Sequence, residues 1–165
     1  MSFWDKQVAF PDIYFKKSSA LFIEKTESII HYRPDDIVLD IGCGPGFLAH
    51  FLKERTSEIH CADTSVRNIE KCKSRFFGDK RIRSHEIDRS CYTDLSFLPK
   101  EKKFSLIICQ SVVQYYDDIR DVEELIRNVG KIASPGARFL IADLPYQSSL
   151  VGDVITQLWE GLQHR

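Results

Sequence analysis

Apolar residues in this chain come in short blocks that alternate between two periods. Ile37, Val38, Leu39 and Ile41 form a nearly continuous run, as a strand covered on both faces requires, and residues 47–52 then restart with helical spacing. Residues 58–63, 81–88, 104–110 and 138–143 read as further strands. Between them, Val66, Ile69, Cys72 and Phe76 recur at intervals of three and four, and so do Ile119, Val122, Leu125, Ile126, Val129 and Ile132. Strands alternating with helices at these lengths predict an α/β fold: a doubly wound, mainly parallel sheet with right-handed crossovers.

The flanks follow the same logic. Ala20, Ile23, Glu27 and Ile30, with Phe22, Thr26 and Ile29, predict a helix over about 12–31, ended by Pro34. Asp118 is placed to cap the helix that follows it, and Ser134-Pro135-Gly136-Ala137 to turn the chain into the fifth strand. Residues 150–162 predict a last helix. The chain thus divides into an N-terminal helical cover (1–34), a core (35–144) and a C-terminal helical segment (145–165).

One stretch carries chemistry. The first strand ends in Asp40-Ile41-Gly42-Cys43-Gly44-Pro45-Gly46, a carboxylate followed by glycines at alternate positions. Glycine tolerates positive φ and lets a ligand lie against the backbone, so the turn is a floor for a bound molecule. The dinucleotide fingerprint is G-x-G-x-x-G, whereas this chain has G-x-G-x-G. Asp40 would also repel a pyrophosphate, and a ligand carrying a cationic amino group suits it better.

The segment 38–46 resembles motif I of the class I S-adenosylmethionine-dependent methyltransferases, and the resemblance extends over about 35–144. It implies S-adenosylmethionine as cofactor and a sheet of order 3-2-1-4-5. It also implies that Asp40, Gly42, Cys43, Gly44 and Gly46 lie beneath the cofactor, that Asp63, with Thr64 beside it, holds the ribose, and that Asp88, with the backbone of Ile87 or Arg89, meets the adenine. Gln110 and Ser111, at the end of the fourth strand, are candidates for the methionine part or the acceptor. Tyr14, Tyr115 and Tyr116 are candidates for orienting the acceptor, and the segment 3–14 for closing over the cofactor and lining the acceptor pocket. Ser105 stands where the family usually has Asp, which bears on how the strand starts. The family usually continues beyond strand five with a helix and two strands, the last antiparallel. Only twenty-two residues follow Asp143 here, so those strands are expected to be absent. The strand-five edge is then bare, covered by the C-terminal segment, or paired in a homodimer or with a partner chain.

Composition narrows the rest. A net charge of -1 argues against general nucleic-acid binding. No run has membrane-spanning length and the first residues lack signal-peptide features, so a cytoplasmic protein without membrane contact is expected. The five cysteines, Cys43, Cys61, Cys72, Cys91 and Cys109, are read as reduced thiols, and their spacing suggests no metal site. The histidines are scattered and no catalytic base is assigned. The expected activity is methyl transfer to a small-molecule acceptor. The alternatives are a noncatalytic or partner-dependent S-adenosylmethionine-binding subunit and, behind it, an NAD(P)-dependent oxidoreductase domain.

Overall fold

A computed structural model describes residues 12–142 and 157–160. Helix α1 (Asp12–Ile30) buries Phe22, Ile23 and Ile30 on one face. It stops before Pro34 is reached, because His31 takes a left-handed conformation (φ 51°) and donates its N–H to the Glu27 carbonyl at 3.3 Å. Strand β1 (Ile37–Ile41) then leads through the glycine turn into α2 (Phe47–Leu52). Next come β2 (Glu58–Asp63), α3 (Val66–Arg75) and β3 (Ile82–Glu86), followed by β4 (Phe104–Gln110), α4 (Ile119–Ile132) and β5 (Ala133–Ala142). Two short 3-10 turns, Arg89–Cys91 and Val113–Tyr115, follow β3 and β4. Ser65 caps α3, and Asp118 with Asp121 forms a capping box on α4.

The five strands pair in parallel in the order β3-β2-β1-β4-β5, as expected. Its two faces carry separate apolar layers. Phe22, Ile30, Leu48, Leu52, Ile69 and Cys72 cover one; Leu95, Leu98, Leu125 and Val129 cover the other. Each fully buried aliphatic side chain contributes about 1.5–3 kcal/mol, so these layers hold the sheet.

Two local expectations change. Strand β5 begins at Ala133, because Ser134, Pro135 and Gly136 (φ 73°) form an irregularity within it, opposite a register shift between Phe104 and Leu106. A sixth strand, β6 (Gln157–Glu160), lies antiparallel to β5 within the span expected to be helical. The open backbone groups of an edge strand outweigh a helical side-chain period, and β6 takes up Arg138, Phe139, Leu140 and Ile141. Along those residues the β5 edge is closed by this chain and not by a partner.

A brace at the amino ends of the strands accounts for Ser105. Its hydroxyl accepts from the Ile37 N–H at 3.0 Å and donates to Asp36 Oδ1 at 2.7 Å, tying β4 to the start of β1. Arg138 of β5 pairs with the same buried carboxylate and donates to the His31 carbonyl at 2.7 Å.

Candidate cofactor-binding site

At the carboxyl ends of the strands, where β1 and β4 diverge to opposite sides of the topology, lies a cleft of ≈ 630 Å³. Its floor is the turn after β1, and the glycines there answer to different demands. Gly42 (φ 74°) has no room for a side chain, since a Cβ would come within 2.2 Å of Val112 Cγ2. Gly44 faces open space, with nothing within 4 Å of an added Cβ, and lines the cleft. Gly46 does not line it. This residue caps α2 in a left-handed conformation and presses on α3, where a Cβ would meet Cys72 Sγ at 2.8 Å.

Asp40 and Asp63 border the same floor. Asp40 is buried, and its Oδ2 has no hydrogen-bond partner among the described residues. Burial, reinforced by Cys72 and Asp63, pushes its pKa up to about 8. Asp63 accepts from the Gly44 N–H at 2.8 Å through Oδ2 and from the Ser65 N–H at 2.7 Å through Oδ1. The end of β2 therefore fixes the glycine turn while Ser65 does the capping. Burial raises the Asp63 pKa, and the two backbone bonds oppose that rise.

Thr64, Ile87, Arg89, Cys43, Gln110, Ser111, Tyr115 and Tyr116 also line the cleft. Ser111 holds a left-handed conformation (φ 56°) and donates its N–H to the Ala142 carbonyl at 3.0 Å, which turns the chain sharply after Gln110. Asp88 is the exception. Its carboxylate is turned onto Ser90, accepting from the N–H at 2.8 Å and the hydroxyl at 2.7 Å, and Asp88 lines an adjoining hollow with Thr64, Ile87 and Arg89 rather than the cleft itself. A short polar side chain at the end of an edge strand satisfies itself on its own turn. Tyr14 lies on α1, with its side chain outside the described residues, as is the expected covering segment before residue 12.

Several lining residues gave no signal in the sequence. Phe15, Ser18 and Ser19 of α1 reach the cleft, and Phe15 stacks on Phe47 with ring centroids 6.4 Å apart. Arg75, in the basic stretch that reads as a solvated face, lies 3.7 Å from the Phe47 ring centroid and donates to the Pro45 carbonyl at 2.9 Å. Tyr92 donates to Asp121 at 2.7 Å, and Tyr116, which it touches, is driven up in pKa by burial.

Two clusters, one outside the cleft and one reaching it through Cys43, were also hidden by sequence distance. His60 and His85 bond ring to ring at 2.9 Å, and His60 reaches Glu58 at 2.9 Å. The sulfurs of Cys43, Cys61 and Cys72, from a turn, a strand and a helix, lie within 4.8 Å of one another, a proximity that their spacing in the sequence does not reveal.

A family model described as a methyltransferase domain matches residues 39–139, from β1 into β5. The chain belongs to that family. It has the fold of the class I S-adenosylmethionine-dependent methyltransferases. Among its relatives, malonyl-[acyl-carrier protein] O-methyltransferase of Salmonella typhimurium is 28% identical over 130 residues, covering 78% of this chain and 45% of that protein. The chain thus spans less than half the length of that relative. An S-adenosylmethionine-dependent methyltransferase from Clostridium acetobutylicum is 25% identical with a TM-score of 0.58, over 76% of this chain and 49% of the other. The N-methyltransferase NodS of Bradyrhizobium japonicum, solved with S-adenosyl-L-homocysteine, shares the fold at 20% identity and a TM-score of 0.61, over 77% and 60% of the two chains.

Proposed function

We propose that this methyltransferase acts on a small-molecule acceptor that enters the cleft beside Tyr115, Tyr116 and the Phe15 face of α1. The observation that carries the reading is the unpartnered oxygen of Asp40 at the bottom of a cleft whose backbone approach, at Gly44, is open. A buried carboxylate oxygen without a partner is costly, and a ligand amino group relieves the cost. S-adenosylmethionine has such a group, so the residues fit it. Asp40 would hold the amino group, Gly42 to Gly44 the adjoining backbone face, Asp63 the ribose hydroxyls through its remaining lone pairs, and Ile87 with Arg89 the adenine.

The cofactor supplies a methyl group already activated on a sulfonium. What the protein contributes is alignment and exclusion of water. Gln110 and Ser111 hold the far wall in a single conformation, and Phe15 on Phe47 closes the near one. The described lining contains no histidine, and the buried Tyr116 keeps its proton, so no lining group is assigned as base.

Calorimetry with S-adenosylhomocysteine and with NAD tests the cofactor half, with binding expected for the first alone. A radiolabelled methyl-transfer assay tests the acceptor half, run over pooled metabolites, free carboxylic acids and carrier-protein-bound acids. The last arm is included because the Salmonella relative is a malonyl-[acyl-carrier protein] O-methyltransferase. Label on a free metabolite supports the proposal, and label on carrier-bound acids alone overturns the small-molecule part.

A further inference from the structure

We propose that Cys43, Cys61 and Cys72 form a three-coordinate thiolate site for a soft d10 cation of the Cu(I) class. The three sulfurs come from the cofactor turn, the interior of β2 and the buried face of α3, and all lie within 4.8 Å of one another. An ion bonded to sulfur at about 2.3 Å in a trigonal plane sets its ligands about 4.0 Å apart, so the cluster needs to contract by less than about 1 Å. All three side chains are buried, and no rearrangement of the sheet is required to bring them together.

The donor set selects the ion. Thiolates alone favour soft cations over Mg(II) or Ca(II). Structural zinc sites are closed by four ligands, and among the described residues this cluster offers three. A monovalent d10 ion accepts three sulfurs without a fourth. Ser84 donates its hydroxyl to Cys72 Sγ at 3.3 Å, a bond that strengthens when the sulfur becomes thiolate. Arg75, one helical turn beyond Cys72 and fastened to the Pro45 carbonyl, sets a positive charge close by. Binding releases one proton from each ligating thiol, and no electron is transferred. Entry is through the cleft, which Cys43 lines.

The site adjoins the cofactor cleft at Cys43, but its test does not depend on methyl transfer. The test uses reduced, full-length protein under anaerobic conditions, titrated with Cu(I) held by a chromophoric chelator. One equivalent is expected to pass to the protein. Cys43→Ala, at the least buried of the three sulfurs, should weaken capture at least tenfold, while Cys91→Ala at the exposed cysteine leaves it unchanged. X-ray absorption of the copper-loaded wild type provides a readout that needs no variant, and a shell of three sulfurs is expected. No transfer from the chelator, capture lost in Cys91→Ala, capture unchanged in Cys43→Ala, or a shell with fewer than three sulfurs would each overturn the proposal.

Discussion

Gly42 and Val112 are in contact across the cleft floor: a Cβ on Gly42 would overlap Val112 Cγ2 at 2.2 Å, although the two residues belong to the turns after β1 and β4. Gly42→Ala is therefore expected to lose about 2–3 kcal/mol of stability through overpacking and a left-handed backbone. Gly44→Ala, which meets nothing, should lose about 1 kcal/mol and yet weaken S-adenosylhomocysteine at least tenfold, because its methyl group enters the ligand's space. Urea unfolding and calorimetry on the two variants separate a packing glycine from a binding one.

With Asp40 on the cofactor's amino group, binding is expected to release a proton. Its pKa of about 8 keeps it mostly neutral at pH 7 without ligand, and an amino group on Oδ2 would favour the carboxylate. Calorimetry at pH 7 in buffers of different ionisation enthalpy should show proton release, absent in Asp40→Asn. The sign for the free protein is the reverse of the usual carboxylate case. A raised folded pKa gives a stabilising contribution that is complete below about 3.9 and is lost as pH rises through about 8. Asp40→Asn should remove that decline, as seen in unfolding midpoints at pH 6 and 8.5.

Asp63 and Asp88 should part company. Removing the Asp63 carboxylate strands the Gly44 and Ser65 amides, so Asp63→Ala is expected to lose about 1–3 kcal/mol and to weaken S-adenosylhomocysteine more than tenfold. Asp88→Ala loses only an exposed turn bonded to Ser90, with less effect on stability than Asp63→Ala, and should change ligand affinity by less than about threefold. An Asp88 effect as large as that of Asp63 would mean that the carboxylate swings into the cleft on binding.

The imidazole pair predicts acid sensitivity away from the cleft. Burial, then the neighbouring His60 and Arg83, brings the His85 pKa down to about 4, and burial lowers His60 as well. A depressed folded pKa means the unfolded chain binds the proton first, so stability is present above about 6.5 and is lost as pH falls towards 4. Unfolding midpoints between pH 7 and 4.5 should fall steeply in the wild type and less steeply in His85→Phe, which keeps a ring beside His60 and Phe97.

What could be read in the sequence was what lies close together along it. Asp40 and the glycines share one turn, and Asp63 directly ends its strand, so burial period and motif agree at both. Asp88 shows the limit: the strand end was located, but Ser90, two residues on, captures the carboxylate. The cysteine and histidine clusters join residues separated by eleven to twenty-nine positions; the β2–β3 register puts the histidines side by side, and the packing of α3 on the turn after β1 and on β2 gathers the cysteines. Strand β6 was misread because pairing with an edge is a property of the neighbour and leaves no mark on the segment's own period.

Asp36 gathers bonds from three remote stretches: Ser57 donates to its carbonyl, while Ser105 and Arg138 hold the carboxylate, and Arg138 in turn grips the end of α1. The guanidinium that neutralises this charge is thus made late in synthesis, about a hundred residues after the acid itself. Without it the buried carboxylate has only the Arg33 N–H and the Ser105 hydroxyl to satisfy it, so the first strands reach their full stability only once the last parallel one has docked.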